Sequence, residues 1–302
     1  AKSQRVILGI DEYPYVAHAA KSLASTLQLL IDKHHADSKL FLILCGSSMP
    51  YMEDQVLAYK APLYGRQTAQ LKIRPFDFFE VCSYLTGLSP QDKALAYGMI
   101  GGTPQYLQQM DVHLSIEENI KRLFLSPASA VFEEPLNLLK QEVREPGVYN
   151  AIMTAIASGY SKMNEIASKV GEDSSVCAIY LKNLITLGIV KKETPFGEKA
   201  GRKTIYSMED PMFRFWYRFV PPNISLIARG ATELAYNRIA PELSAYMGGI
   251  FEEICKQYLW KQLLEGTCAV SFRDIGRWWG ANPKTRAQEE IDLMGDDNDA
   301  AL

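Results

Sequence analysis

Two adjacent carboxylates near the start of the chain, Asp11 and Glu12, could bind a metal ion or accept a proton. They follow the apolar run Val6–Ile10, which contains no polar alternation. Such a run fits a strand that is buried on both faces of a parallel sheet. Open α/β sheets bind ligands at the carboxyl ends of their strands, and buried carboxylates need a metal ion or hydrogen bonds. The pattern therefore predicts a site; the alternative is a strand that ends in a solvated Asp-Glu turn.

A second apolar run, Leu40–Cys45, ends in a glycine followed by Ser47 and Ser48. Between the two runs, residues 17–35 repeat leucine and isoleucine at the spacing of an amphipathic helix. The order strand, helix, strand predicts a βαβ unit with parallel strands. One of the two serines would then lie beside the acidic pair. The alternative is a Gly-Ser turn that caps the next helix.

Two more carboxylates, Glu252 and Asp292, lie near the end of the chain. Glu252 is part of the amphipathic pattern Gly248–Leu259, which predicts a helix, and Asp292 is in the predicted strand Glu289–Met294. These two acids make the final segment the second candidate for chemistry. The alternatives are a solvated helix face for Glu252 and a strand-edge carboxylate for Asp292.

Composition narrows the class of protein. The chain has 302 residues, 47% hydrophobic and 22% charged, which is typical of soluble globular proteins with two or three domains.

The net charge of −3 gives no overall basic field for nucleic acid, so DNA binding would need a local patch. Five scattered cysteines without CxxC spacing predict reduced thiols in a cytoplasmic protein. No run approaches the roughly 20 apolar residues of a membrane span, and we expect no membrane partner.

Residues 136–210 predict a winged helix. Helical patterns at Val148–Ile156, Met163–Val170 and Ser174–Leu187 precede two short strands, 189–193 and 202–206, that flank a glycine-rich loop. Five basic side chains on the third helix and the hairpin would contact DNA phosphates. They are Lys182, Lys191, Lys192, Arg202 and Lys203. The alternative is a winged helix that only packs against other parts of the protein.

Three further expectations concern the connecting segments. Gln70–Ile73 predicts a third strand, and residues 77–135 predict a helical subdomain. An aromatic-rich helix that starts at Asp210 is expected to break at Pro221–Pro222.

Three motifs after the acidic pair resemble the archaeal-type predicted P-loop ATPases of the AAA+/STAND lineage. They are PLYGR at 62–66, IRPFDFFE at 73–80 and GGTPQYL at 101–107. The resemblance implies ATP and Mg²⁺ as cofactors. It implies that Asp11 positions Mg²⁺, that Glu12 polarises the attacking water, and that Ser47 or Ser48 contacts the γ-phosphate or that water.

The same resemblance implies that Gly102 and Pro104 of a helical lid contact the nucleotide. Arg66 is a candidate phosphate sensor, with a structural ion pair as the alternative. The chain contains no GxxxxGK[ST] loop. Because that loop precedes the Asp-Glu strand in the family, we expect it to lie before Ala1. The alternative is a degenerate ATPase that binds no nucleotide.

Residues 211–302 resemble the PD-(D/E)xK nuclease fold, in which Glu252 and Asp292 would bind Mg²⁺. The (D/E)xK strand is absent, and a turn at 295–299 would start the next strand.

The predicted fold class is α/β, in four parts. These are part of a P-loop ATPase core (1–76), a helical lid (77–135), a winged helix (136–210), and a helical connection with a truncated restriction-endonuclease-like domain (211–302). The predicted function is an ATP-hydrolysing switch coupled to DNA, with ATP as ligand and DNA and other protein subunits as candidate partners. The alternatives are a binding scaffold with an inert ATPase half and an ATP-regulated DNA nuclease.

Overall fold

The computed structural model describes residues 4–34, 38–47, 51–143, 145–282 and 284–296. The chain divides into two compact units, Ala1–Ile73 and Arg74–Leu302. Ser48 and the last six residues lie outside the described residues.

The first unit contains the predicted βαβ arrangement. Strands β1 and β2 pair in parallel, with Val6 opposite Leu40 and Ile10 opposite Leu44. The elements are β1 (Val6–Ile10), α1 (Tyr13–Ala19), α2 (Leu23–His34), β2 (Leu40–Leu44) and a π-helical segment (Met52–Leu57). The prediction of two parallel strands joined through helix is therefore confirmed.

Two predictions about this sheet are wrong. The side chains of β1 are not buried on both faces, since Ile7 is 66% exposed. The reason is that the described sheet has two strands only, and the core of the unit lies between helices, around Tyr13 and Leu27. The segment Gln70–Ile73 forms no strand, because its backbone pairs with no other strand among the described residues.

The second unit begins with helices that include the predicted helical segment. They are α3 (Phe78–Tyr84), α4 (Pro90–Ile100), α5 (Pro104–Leu107), α6 (Ile116–Phe124) and α7 (Ala130–Glu142). A capping box starts α3: the Asp77 carboxylate accepts from the Glu80 amide at 2.8 Å, and the Glu80 carboxylate accepts from the Asp77 amide at 2.9 Å. The acidic residues of the IRPFDFFE motif thus have a structural role.

Three helices and a hairpin follow. They are α8 (Pro146–Ala157), α9 (Met163–Val170), α10 (Ser174–Thr186), β3 (Val190–Glu193) and β4 (Ile205–Met208). The strands are antiparallel, with Val190 opposite Met208. The predicted helices and first strand are confirmed within two residues, while β4 begins three residues later than expected.

The aromatic helix α11 (Pro211–Ile227) crosses the core of the second unit. Its side chains at Phe213, Phe215 and Phe219 are almost completely buried. The predicted break at Pro221–Pro222 is wrong, because the helix continues through both prolines to a buried Ile227. Burial of this apolar face outweighs the backbone hydrogen bonds that proline cannot donate.

The last elements are α12 (Thr232–Ile239), a short 3-10 turn, α13 (Leu243–Leu264), β5 (Asp274–Ala281) and β6 (Gln288–Asp296). Strands β5 and β6 are antiparallel, with a bulge between Gly276 and Trp278. The predicted helix and strand around Glu252 and Asp292 are confirmed and are longer than expected. The turn predicted at 295–299 is wrong at its start, since Gly295 is still paired, with Ile275.

No helix in the described ranges combines the length and the apolar character that a bilayer crossing requires.

The close approach of the Gly102 and Phe76 backbones in the second unit can be tested by mutation. The Gly102 carbonyl accepts from the Phe76 amide at 2.9 Å, and a Cβ atom on Gly102 would lie 1.8 Å from the Phe76 carbonyl oxygen. We expect Gly102→Ala to lower the free energy of unfolding by about 2–3 kcal/mol, because two backbones must separate. Urea unfolding measures this. The matched control is Gly147→Ala, where a Cβ meets nothing within 4 Å; equal stability of the two variants would contradict the close approach.

Candidate functional site

The loops that follow β1 and β2 lie side by side at the carboxyl end of the parallel pair. The Cys45 amide donates to the Ile10 carbonyl at 2.9 Å, and the Tyr13 amide donates to the Cys45 carbonyl at 2.8 Å. Gly46 allows this approach, because a Cβ there would lie 2.6 Å from the ring of Pro14. The two loops therefore form one edge.

Ser47 meets Glu12 of the predicted acidic pair at this edge. The Ser47 hydroxyl lies 3.3 Å from both carboxylate oxygens of Glu12, within hydrogen-bond distance. The Glu12 amide donates to the Asp11 carboxylate at 2.9 Å. All three residues are exposed. The premise that the carboxylates are buried is therefore wrong, whereas their predicted proximity to a serine after β2 is confirmed for Ser47.

Glu12 has an unusual backbone conformation, with φ 47° and ψ 42° in the left-handed region. This conformation costs a non-glycine residue roughly 1–2 kcal/mol. It turns the chain from β1 into α1, which begins at the next residue. Strained residues of this kind concentrate at ligand and active sites.

Asp11, Glu12 and Ser47 suit Mg²⁺ in ligand chemistry. Mg²⁺ prefers oxygen ligands and is commonly held by one or two carboxylates together with water and substrate phosphates. The two carboxylates and the hydroxyl supply such oxygens at an edge that solvent and a phosphate can reach. The carboxylate of Glu12 can also accept a proton from water.

The backbone strain at Glu12 gives a prediction about stability. We expect Glu12→Gly to be more stable than Glu12→Ala by roughly 0.5–1 kcal/mol, because glycine adopts positive φ without steric cost. Both variants remove the carboxylate and its hydrogen bond with Ser47, so that the comparison isolates the backbone. Thermal unfolding measures the difference, and a less stable glycine variant would mean that the turn is not strained.

Arg66 forms a structural ion pair, which was the alternative to a phosphate-sensing role. Its guanidinium donates to both carboxylate oxygens of Asp32, from Nε at 2.7 Å and from Nη2 at 2.8 Å. These hydrogen bonds lower the pKa of the Asp32 carboxyl below its ordinary value. Nη1 donates to the carbonyls of Pro62 and Tyr64. The PLYGR motif thus folds around this arginine, and a phosphate-sensing role stays a prediction.

Gly102 and Pro104, the two lid residues predicted to contact nucleotide, lie where α4 ends and α5 begins. Gly101 ends α4 with φ 71°, and Pro104 is the first residue of α5. Gly102 is buried against Phe76, whereas Pro104 is exposed. The glycine therefore has a structural reason to lack a side chain, and contact with a nucleotide stays a prediction for both residues.

Glu252 and Asp292 border one cavity of about 480 Å³ in the second unit. The structure therefore brings the two predicted acids of α13 and β6 together. Nine charged side chains line this cavity, five basic and four acidic. They are Lys191, Arg214, Arg218, Lys256, Arg277, Glu193, Glu252, Glu253 and Asp292.

A basic side chain, Arg277, lies beside one of these two acids. Arg277 Nε is 3.5 Å from a carboxylate oxygen of Glu252, and the same guanidinium pairs with Glu290. Burial raises the pKa of Glu252, Arg277 opposes the shift, and Asp292 adds to it. Across the described ranges no three histidine, cysteine or carboxylate side chains are placed to hold a metal ion. Arg277 therefore competes with a metal ion for Glu252, and metal binding by Glu252 and Asp292 stays a prediction.

The five predicted DNA-contacting residues differ in their surroundings. Lys191 lies among the carboxylates of Glu193 (3.4 Å), Glu209 (3.8 Å) and Glu253 (3.8 Å). Lys203 pairs with Glu198 at 2.6 Å. The other three are exposed and form no ion pair with any residue that the structure describes. They are Lys182, Lys192 and Arg202.

Sequence reasoning did not identify Arg214, Gly249, Lys256 and Arg277 as cavity residues. Gly249, Glu252 and Lys256 follow each other at intervals of three and four, and this periodicity could have indicated a polar helix face. Arg214 gave no signal, because it is one polar residue in an aromatic run.

Comparison with known proteins gives two family matches. Residues 1–110 match a family described as an ATPase domain predominantly from Archaea. Residues 216–302 match a family described as archaeal and bacterial proteins of unknown function. The first match includes the Asp11–Glu12 edge and Gly102, and the second includes Glu252 and Asp292. The first part of the chain is therefore similar to archaeal-type ATPase domains.

Two proteins of Methanocaldococcus jannaschii, both uncharacterised, are similar in sequence. One is 33% identical over 297 residues, which cover 97% of this chain and 65% of that protein. The other is 38% identical over 47 residues, which cover 16% of this chain and 46% of that protein. The chain thus spans 65% of the length of the longer match.

Proposed function

We propose that the chain is part of an ATP-hydrolysing switch whose hydrolytic residues are Asp11, Glu12 and Ser47. One observation carries this proposal: the Ser47 hydroxyl lies within hydrogen-bond distance of Glu12, the neighbour of Asp11, at the carboxyl edge of a parallel strand pair. The match of residues 1–110 to an archaeal ATPase domain supports ATP as the nucleotide. Carboxylates at this edge suit the neutralisation of phosphate charge through Mg²⁺.

Each residue has a distinct task in this proposal. Asp11 holds Mg²⁺, which when bound neutralises charge on the phosphate oxygens. Glu12 accepts a proton from the attacking water, and its exposure lets that water reach it. Ser47 orients the Glu12 carboxylate by donating a hydrogen bond. Ser48, Arg66, Gly102 and Pro104 are proposed as further nucleotide contacts.

The main test is Glu12→Gln in the full-length protein. Glutamine keeps the size of the side chain and removes the proton acceptor, so that Mg²⁺-ATP should still bind while turnover falls roughly 10²–10⁴-fold. Phosphate release measures turnover, and nucleotide titration measures binding. Glu53→Gln, an exposed acid of the same unit, should leave both unchanged. Hydrolysis that is equal in Glu12→Gln and the parent protein would refute the assignment.

A second candidate function is DNA binding through residues 136–210, which we propose form a winged helix. The supporting observation is three helices followed by an antiparallel hairpin that presents exposed Lys192 and Arg202 without ion-pair partners among the described residues. Lys191 and Lys203 are weaker candidates, because nearby carboxylates neutralise them. For residues 211–302 we propose a nuclease-like architecture without a metal-dependent reaction.

DNA binding is tested by charge reversal on the hairpin. We expect Lys192→Glu plus Arg202→Glu to weaken binding to duplexes of any sequence and to reduce the salt dependence by about two phosphate contacts, because these residues would contact the backbone. Fluorescence anisotropy at several salt concentrations measures both effects. The control reverses Arg229 and Arg238, two exposed arginines elsewhere in the unit. Equal losses in both double variants would show non-specific attraction only.

A further inference from the structure

A charged face of α13 borders the cavity of the second unit. Gly249, Glu252, Glu253 and Lys256 are spaced by three, one and three residues, which places them on one side of the helix. Charged residues of a helix ordinarily face open solvent. Here they surround about 480 Å³ of space, the size of a small-molecule site.

Arg214 of α11 reaches the same cavity, where its charge acts on Glu252 without a direct ion pair. Its guanidinium carbon lies 5.5 Å from the ring centre of Tyr246. It forms no ion pair in the described part of the chain, and neither does Lys256. Arg218, one helical turn later, pairs with Glu242 at 2.6 Å. The cavity therefore contains two basic groups whose charge is not matched by a direct partner.

Gly249 makes room for this arginine. A Cβ atom on Gly249 would lie 2.6 Å from Arg214 Nη2, whereas a Cβ atom on the neighbouring Gly248 would meet nothing within 4 Å. The absence of a side chain at Gly249 thus lets the guanidinium lie against α13, beside Tyr246.

We propose that this cavity binds a small phosphate-bearing ligand, with Arg214 and Lys256 as its anchors. Guanidinium and ammonium groups are the side chains that bind phosphate through charge-assisted hydrogen bonds. Glu252 and Asp292 can accept hydrogen bonds from hydroxyl groups of the same ligand. Four carboxylates in the lining disfavour a polyanion such as the DNA backbone. The ligand class is therefore a small sugar phosphate.

Calorimetric titration with ribose 5-phosphate tests this assignment, with ribose as the uncharged comparison. Both titrations contain EDTA, so that any binding observed does not depend on a metal ion. We expect saturable binding of the phosphate and none of ribose. Arg214→Met should weaken binding by about tenfold or more, since it removes charged hydrogen-bond donors. Arg229→Met, at an exposed arginine outside the cavity, should bind like the parent protein.

Alanine substitutions at Gly249 and Gly248 test the position of the Arg214 guanidinium while its charge is kept. Gly249→Ala should displace the Arg214 guanidinium and weaken binding several-fold, while the flexible side chain moves aside at little cost in stability. Gly248→Ala should bind like the parent protein. Thermal unfolding of both variants verifies that they fold.

Three results would overturn the proposal. The first is no saturable binding of ribose 5-phosphate in the millimolar range. The second is equal affinity in Gly249→Ala and Gly248→Ala. The third is binding that survives Arg214→Met and is lost in Glu12→Gln, which would place the phosphate at the edge of the first unit.

Discussion

The parallel hydrogen bonding between β1 and β2 determines where the chemistry of the first unit lies. Because the strands run in the same direction, the loops after Ile10 and Leu44 leave the sheet at one edge. Two further backbone bonds through Cys45 hold those loops together. The hydrogen bond between Ser47 and Glu12 follows from this arrangement, although the residues are 35 positions apart. The left-handed backbone at Glu12 is the local cost of turning directly from a strand into a helix.

A different constraint organises the second unit. Helix α11 is buried along most of its length, and its aromatic side chains connect the helices of residues 78–142, the hairpin segment and α13 into one core. Trp216 donates to the Phe132 carbonyl at 2.7 Å, and Tyr217 donates to Asn150 at 2.8 Å. Arg214 reaches the cavity from this same helix. The charged cavity therefore lies beside a buried, hydrogen-bonded helix, which suits a preorganised binding site.

Sequence patterns predicted the positions of helices and strands better than they predicted what packs against each of them. Two parallel strands need a crossover connection between them. The order strand, helix, strand therefore predicted that the loops after both strands, one of them acidic, would share one edge. The exposure of β1 was not predictable, since an apolar run does not reveal how many other strands and helices pack against it. The continuation of α11 past Pro221 was missed because local breaking signals cannot weigh burial elsewhere in the helix. The pairing of Arg66 with Asp32 joins residues 34 positions apart, for which the sequence shows no pattern.

In the proposed mechanism Asp11, and not Asp292, holds the metal ion of the nucleotide. Electron paramagnetic resonance of Mn²⁺ titrated with ATP into the full-length protein tests this directly, because bound and free Mn²⁺ have different spectra. The account predicts that Asp11→Asn weakens Mn²⁺-ATP binding by about tenfold or more, and that Asp292→Asn leaves it unchanged. Undiminished binding in Asp11→Asn, or loss in Asp292→Asn, would contradict it.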